Sequence, residues 1–211
     1  MNIYLALLLV IISYLLGSIP HALIVSKLTM GIDIREHGSK NMGATNTLRV
    51  LGVKWGLIVL FLDALKAAIV VAVVNYNLFG IRELVFHPLI YGIFAILGHL
   101  YPVFCKFKGG KGVACACGLL LGFNPLGCLV ALTGFTLALL ITKYVSAGSL
   151  TAAVSATLYA LIRMIISYNF DFLLLFIICL CLTVLLFIKH IPNLKRIANK
   201  TETKITDMIK K

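Results

Sequence analysis

Three lysines and three glycines are gathered in Lys106-Phe107-Lys108-Gly109-Gly110-Lys111-Gly112, with apolar sequence on both sides. Glycine lets backbone N–H groups approach an anion closely and lysine supplies point charges, so these residue types fit a phosphate cradle. The loop is not a Walker A motif, which needs Ser or Thr after its lysine to hold magnesium; Gly112 stands there. The competing reading is a short turn whose lysines mark the cytoplasmic side of a membrane.

A second polar stretch runs from Asp33 to Arg49 and contains Ser39, Asn41, Thr45 and Asn46. Their short side chains donate hydrogen bonds, and the planar fork of Arg49 suits a phosphate. A connector needs only about four to six residues, and this one is far longer. The alternative is an interfacial loop with a helix N-cap at Ser39 or Thr45.

A third stretch, Lys189 to Arg196, carries His190 and Asn193 three residues apart, on one face if helix persists. His99, in Gly98-His99-Leu100-Tyr101-Pro102, lies twelve residues before Lys111 and is either a site residue or a donor to a backbone carbonyl. Ser149, in the polar island Lys143 to Ser149, either caps the next helix or donates to an anion. Asp63 and Lys66 are costly in lipid and are expected to form a structural ion pair; Arg163 is expected to snorkel or find a polar partner. His21, His37 and His87 show no identifiable partner. The six cysteines form no paired C-x-x-C motif, so packing is expected of them, without disulfide or metal.

The elements that position these residues are set by composition. At 61% hydrophobic over 211 residues, with a mean hydropathy of +1.06, the chain has too little polar surface for a globule in water. An all-α integral membrane protein is expected. The net charge of +12 would suggest nucleic acid in a soluble protein; here the cations lie in short loops between apolar runs, where topology and anionic partners explain them better. Seven apolar segments are expected at about 3–25, 54–76, 84–105, 113–123, 126–141, 150–167 and 170–188. The first lacks a basic start and a cleavage site and reads as a retained span. The fourth is half a membrane thickness, hence a short or half-span helix shielded by neighbours. Counting it as a crossing puts all the Lys and Arg except Lys66, Arg82 and Arg163 on one side. The positive-inside rule makes that side cytoplasmic, with the N-terminus outside and the C-terminus cytoplasmic, so the three polar stretches face one compartment. No repeat or long linker divides residues 1–211, so a single polytopic domain is expected.

Ser39 to Arg49 resembles S-G-N-x-G-A-T-N-x-x-R, Gly98 to Gly112 resembles G-H-x-x-P…K-G-G-K-G, and His190 to Arg196 resembles H-x-x-N-x-K-R. Those are motifs of the bacterial acyl-phosphate:glycerol-3-phosphate acyltransferases of the PlsY type, and they occur in the family's order from first span to last. The resemblance implies a seven-helix inner-membrane enzyme that moves a fatty acyl group from acyl phosphate to the sn-1 hydroxyl of glycerol 3-phosphate, giving lysophosphatidic acid and phosphate in phospholipid synthesis. It makes His190, Asn193 and Lys111 the catalytic candidates. Ser39, Asn41, Thr45, Asn46, Arg49, His99, Gly109, Gly110, Gly112 and Ser149 become substrate-binding candidates. No metal or cofactor is implied; an enzyme producing acyl phosphate is implied as a partner.

Two positions depart from the pattern. Lys40 replaces the family's glycine, which would cost on the order of 1 kcal/mol if that backbone needs a positive φ. Asn199-Lys200-Thr201-Glu202 only loosely echoes the family's G-T-E ending.

Acyl phosphate is already activated, so the protein need not supply a nucleophile. It must hold two anions together, aim a hydroxyl at a carbonyl and stabilise charge passing to the leaving phosphate. Direct attack is expected, with His190 or the substrate's own phosphate taking the proton. That no histidine here has an aspartate five residues on argues against an acyltransferase of the H-x-x-x-x-D type. A transporter of phosphate or a small organic anion is the alternative, although repeats and midplane charges typical of one are not evident.

Overall fold

Glycine and proline cut the first apolar run in two. Helix α1 (Ile3–Gly17) stops at Gly17-Ser18-Ile19-Pro20, and α2 (His21–Met30) starts beyond it. Proline has no N–H to continue the ladder, and both the amide and the hydroxyl of Ser18 return to the Tyr14 carbonyl, at 2.9 and 2.8 Å. The computed structural model describes residues 3–78 and 86–209; Arg82 and the expected start of the third segment at Leu84 lie outside them.

Every regular element among the described residues is helical. After α2 come a 3-10 turn (Ile34–Glu36), α3 (Ala44–Leu51), α4 (Val53–Asn75), α5 (Pro88–Leu100), a second 3-10 turn (Val103–Cys105) and α6 (Val113–Phe123). Then follow α7 (Pro125–Thr142), α8 (Val145–Ser167), α9 (Phe170–Ala198) and α10 (Ile205–Ile209). Six helical stretches among the described residues are long and apolar enough to cross a membrane: Ile3–Met30, Val53–Asn75, Pro88–Cys105, Pro125–Thr142, Val145–Ser167 and Phe170–Ala198. The protein is therefore a multi-pass membrane protein. Helix α6, at 11 residues, spans about 16 Å and falls short of the hydrocarbon thickness of about 30 Å.

The chain divides into two compact units, Met1–Asn124 and Pro125–Lys211. In the first, α4 packs against α1, α2, α3, α5 and α6. Gly118 and Gly122 lie one turn apart on α6, and a Cβ at either would strike a backbone carbonyl of α4, that of Ala64 or Ala68. Small residues at this spacing let two helices meet backbone to backbone. Asn75 donates to the Gly122 and Phe123 carbonyls at 3.2 and 3.1 Å, capping the end of α6. His87, without an identifiable partner in the sequence, caps α5: its Nδ1 accepts from the Leu89 amide at 3.3 Å.

In the second unit α8 packs against α7 and α9. The Thr157 and Thr183 hydroxyls meet at 2.9 Å between α8 and α9, and Thr183 also donates to the Ala153 carbonyl at 3.1 Å. The guanidinium of Arg163 lies 4.6 Å from the Phe172 ring centre, the partner found for that cation. Helix α9 continues through Pro192 to Ala198, ten residues past the expected boundary at Ile188. Its 29 residues make about 43 Å of helix, so it is longer than the hydrocarbon is thick.

Candidate active site

In the first unit the loop between α2 and α3 is wound around Asn46. That side chain, 2% exposed, donates to the Ile34 and His37 carbonyls at 3.2 and 3.0 Å and accepts from the Ser39 amide at 2.8 Å. The loop is pinned from below by Ile34 and Met42, buried with Ala22, Val25, Leu51, Val59 and Cys105. Asp33 accepts from the Arg35 backbone amide at 2.9 Å and pairs with its guanidinium at 2.6 Å. The guanidinium holds the Asp33 carboxyl below the usual carboxylate range, at about 2. Lys40 has φ 59°, so the lysine that replaces the family's glycine does sit in the left-handed region.

Ser39 is exposed, whereas Asn41, Thr45 and Arg49 are half-buried. Helix α3 is capped by Gly43 with no side-chain bond, so neither Ser39 nor Thr45 is the N-cap. Thr45 and Arg49 are four residues apart and share a face.

The glycine loop follows α5. Lys106 and Phe107 take left-handed conformations, φ 53° and 59°, and Phe107 and Cys105 both donate to the Pro102 carbonyl at 3.0 Å. The chain then dives inward, and Gly110 donates to the His99 carbonyl at 3.1 Å. A Cβ at Gly109 would fall on the His99 carbonyl; one at Gly110 would fall on His99 Nε2 and stand 2.7 Å from the Met42 carbonyl. These two glycines thus let the loop touch α5 and the loop between α2 and α3, which brings the two motifs together. Gly112, φ 89°, is the N-cap of α6, and Lys111 stands half-exposed beside that helix start. Backbone N–H groups, the helix dipole and a lysine converge there, a combination suited to an anion.

Beneath the loop lies a buried charge cluster. Asp63, on α4, accepts from Lys66 at 2.9 Å and from His21 Nδ1 at 3.0 Å. Lys66 also donates to His99 Nδ1 at 3.0 Å and to the Ile19 carbonyl at 3.2 Å. The expected ion pair is present, but two histidines join it, and His21 had no visible partner in the sequence.

In the second unit His190 and Asn193 are both buried on α9, with 3% and 8% exposure. His190 Nδ1 donates to the Leu186 carbonyl at 2.8 Å. A carbonyl only accepts, so the hydrogen-bond network assigns the proton to Nδ1 and makes Nε2 the acceptor of the neutral ring. Beyond α9 the chain turns back. The Thr201 and Glu202 amides donate to the Arg196 carbonyl at 2.8 and 3.2 Å, and the Ile205 amide donates to the Lys143 carbonyl at 2.8 Å. Glu202 accepts from Asn193 Nδ2 at 2.8 Å and from Arg196 Nε at 2.6 Å. Its sequence signal was faint, yet it orients the Asn193 amide. Ser149 lies on the second turn of α8 and donates to the Val145 carbonyl at 2.9 Å, so it is not the cap; α8 starts at Val145 and Tyr144 holds the N-cap position.

A family model described as glycerol-3-phosphate acyltransferase matches residues 7–200. The chain is 44% identical to the glycerol-3-phosphate acyltransferase of Bacillus subtilis (strain 168) over 198 residues, covering 94% of this chain and 96% of the relative. The chain belongs to the glycerol-3-phosphate acyltransferase family. The family's enzyme from Geobacillus kaustophilus (strain HTA426) is 43% identical over 94% of this chain and 95% of its own. Among solved structures, the glycerol 3-phosphate form of PlsY, an integral membrane glycerol 3-phosphate acyltransferase, superposes with a TM-score of 0.82 at 38% identity, over 95% of each chain. The lysophosphatidic acid form of PlsY gives 0.81 at 36% identity, over 98% of this chain and 99% of that one. The transporter alternative finds no support in these relatives.

Proposed function

We propose that this protein transfers a fatty acyl group from acyl phosphate to the sn-1 hydroxyl of glycerol 3-phosphate, releasing lysophosphatidic acid and inorganic phosphate. One observation carries the reading: the similarity spans 95% of the chain and includes the glycerol 3-phosphate form of PlsY. The residues present fit the chemistry. The hydroxyl oxygen attacks the acyl carbonyl, the bond from that carbon to the phosphate oxygen breaks, and the phosphate leaves as a stable anion, so no covalent enzyme intermediate is required.

In this reading Lys111, the start of α6 and the glycines 109, 110 and 112 hold a phosphate group, with Ser39, Asn41, Thr45 and His99 as further donors. Ser149, in the second unit, would bind an anion only by giving up its bond to the Val145 carbonyl. Arg49 clamps a phosphate by its fork. Asn46 supports the loop that presents them. His190 Nε2 accepts from the attacking hydroxyl and Asn193 orients it, while the proton goes either to that imidazole or to the substrate's own phosphate. The acyl tail lies among apolar helices.

The chain works as one polytopic domain of the bacterial cytoplasmic membrane, with α6 as a half-span seventh crossing, the N-terminus outside and the polar motifs facing the cytoplasm. The distribution of Lys and Arg supports that topology. An enzyme that makes acyl phosphate supplies the donor.

The test is to give the purified protein glycerol 3-phosphate with acyl phosphate, acyl-CoA or acyl-carrier protein in turn. Lysophosphatidate formed from acyl phosphate alone is the expected result; formation from either thioester at a comparable rate removes the proposed donor.

A further inference from the structure

The Asp63–Lys66 pair is deeply buried, and a bare structural ion pair would need nothing more than its two members. Here the two side chains reach further. Asp63 already accepts from Lys66 at 2.9 Å and from His21 Nδ1 at 3.0 Å. Lys66 spends its three N–H donors on Asp63, on the Ile19 carbonyl where α1 breaks from α2, and on His99 Nδ1. An ammonium has no lone pair, so a contact of 3.0 Å between Lys66 Nζ and His99 Nδ1 requires that Nδ1 be the acceptor. The competing partner for Nδ1 is the Asp63 carboxylate, which could only receive a proton from it, and that distance is longer, 3.6 Å. With its lone pair on Nδ1, the neutral imidazole must carry its proton on Nε2.

Nε2 points at the glycine loop. It makes no hydrogen bond among the described residues, it lies where a Cβ of Gly110 would be, and it borders a crevice shared with Met42, Pro102 and Gly110. We infer that the buried Asp63–Lys66 pair is a positioning device that fixes His99 as the Nε2–H tautomer and so makes the imidazole a hydrogen-bond donor at the glycine loop. The inference rests on the reading that this loop receives a substrate's phosphate group, and it deepens it: His99 serves there as donor and never as base. His21 Nδ1 and Lys66 both bond Asp63 Oδ1, the same oxygen that stands 3.6 Å from His99 Nδ1, so that oxygen already has two closer partners.

Nitrogen-15 NMR of histidine-labelled full-length protein in detergent micelles tests the tautomer directly. His99 is identified as the imidazole, of five, whose signals vanish in His99→Gln. The expected pattern is a pyridine-type Nδ1 and a pyrrole-type Nε2 in the wild type. In Lys66→Met the carboxylate becomes the remaining partner, and the pattern reverses. A pyrrole-type Nδ1 in the wild type overturns the inference, and the wild-type spectrum alone decides this should Lys66→Met fail to fold.

A double-mutant cycle gives the functional arm. Glutamine places an amide donor near the Nε2 position without depending on Lys66. Lys66→Met is therefore expected to lower kcat/KM about tenfold or more with His99 present and less than about threefold in the His99→Gln background. Equal losses in both backgrounds overturn the positioning role and leave Lys66 as packing. Because the NMR arm does not depend on turnover, a protein that forms no lysophosphatidate but shows the expected tautomer would refute the proposed activity and leave the assignment of His99 standing.

Discussion

Asn193 Nδ2 donates to Glu202 Oε1 at 2.8 Å, from the last turns of α9 to the chain that has doubled back past its end. The bond decides which end of the amide is which, turning the NH2 group to the carboxylate and Oδ1 the other way. Glu202, 8% exposed, is held in place by Arg196 Nε at 2.6 Å.

Glu202→Ala is accordingly expected to leave the Asn193 amide without its orienting acceptor. Losing that buried hydrogen bond to a carboxylate costs about 1–3 kcal/mol, read as a lower thermal midpoint in detergent, together with a turnover at least about tenfold lower. Glu202→Gln keeps an acceptor for Asn193 while losing the charge opposite Arg196, so its loss should be smaller. Equal stability of wild type and Glu202→Ala would show that the tail does not hold Asn193.

Gly110→Ala should weaken substrate binding more than it slows chemistry. Its Cβ would meet His99 Nε2 and the Met42 carbonyl, the second of them backbone that cannot swing aside. Gly112→Ala has a different physical cause. The nearest atom to its Cβ is 3.4 Å away, but φ is 89°, so the penalty is conformational, about 1–2 kcal/mol. Initial-rate measurements over both substrates separate them: a rise in KM for Gly110→Ala, and a loss of thermal stability for Gly112→Ala.

His190→Gln removes an acceptor fixed by the 2.8 Å bond from Nδ1 to the Leu186 carbonyl. Turnover should fall by about 10² or more. The pH profile then locates the proton. If the acidic limb of kcat disappears with the imidazole, His190 is the base; if the profile keeps its shape at the lower rate, the substrate's phosphate takes the proton. Turnover near the wild-type value would remove His190 from the chemistry.

Lys40→Gly is expected to stabilise the protein. A left-handed lysine costs about 1–2 kcal/mol, and the extra unfolded-state freedom of glycine returns about 0.5–1 of that. A net gain of roughly 0.5–1 kcal/mol follows, measured as a higher thermal midpoint. A fall would mean that the Lys40 side chain contributes more than its backbone loses.

The membrane-spanning helices were legible in the sequence because each is a long, mostly apolar run bounded by charge, glycine or proline. Their ends were not. The apolar runs were expected to start at Leu150 and to stop at Ile188, yet helix covers Val145–Ser149 and Lys189–Ala198 as well, because a helix that leaves the hydrocarbon keeps its own backbone bonds whatever its side chains meet. The polar motifs were also legible as site candidates, since they hold more glycine and short donors than a turn, a topology signal or a helix cap needs. What the sequence could not hold was how those residues divide their labour. Asn46 and Thr45 look alike as donors, but only contacts from Ile34, His37 and Ser39 make the first a loop organiser. His21, Asp63 and His99 stand far apart along the chain, and nothing local says that they meet. Residue types and spacing determined the class of protein and the chemistry within its reach. Tertiary packing alone decided which nitrogen faces which oxygen, because a hydrogen bond forms over about 3 Å of space and takes no account of distance in sequence.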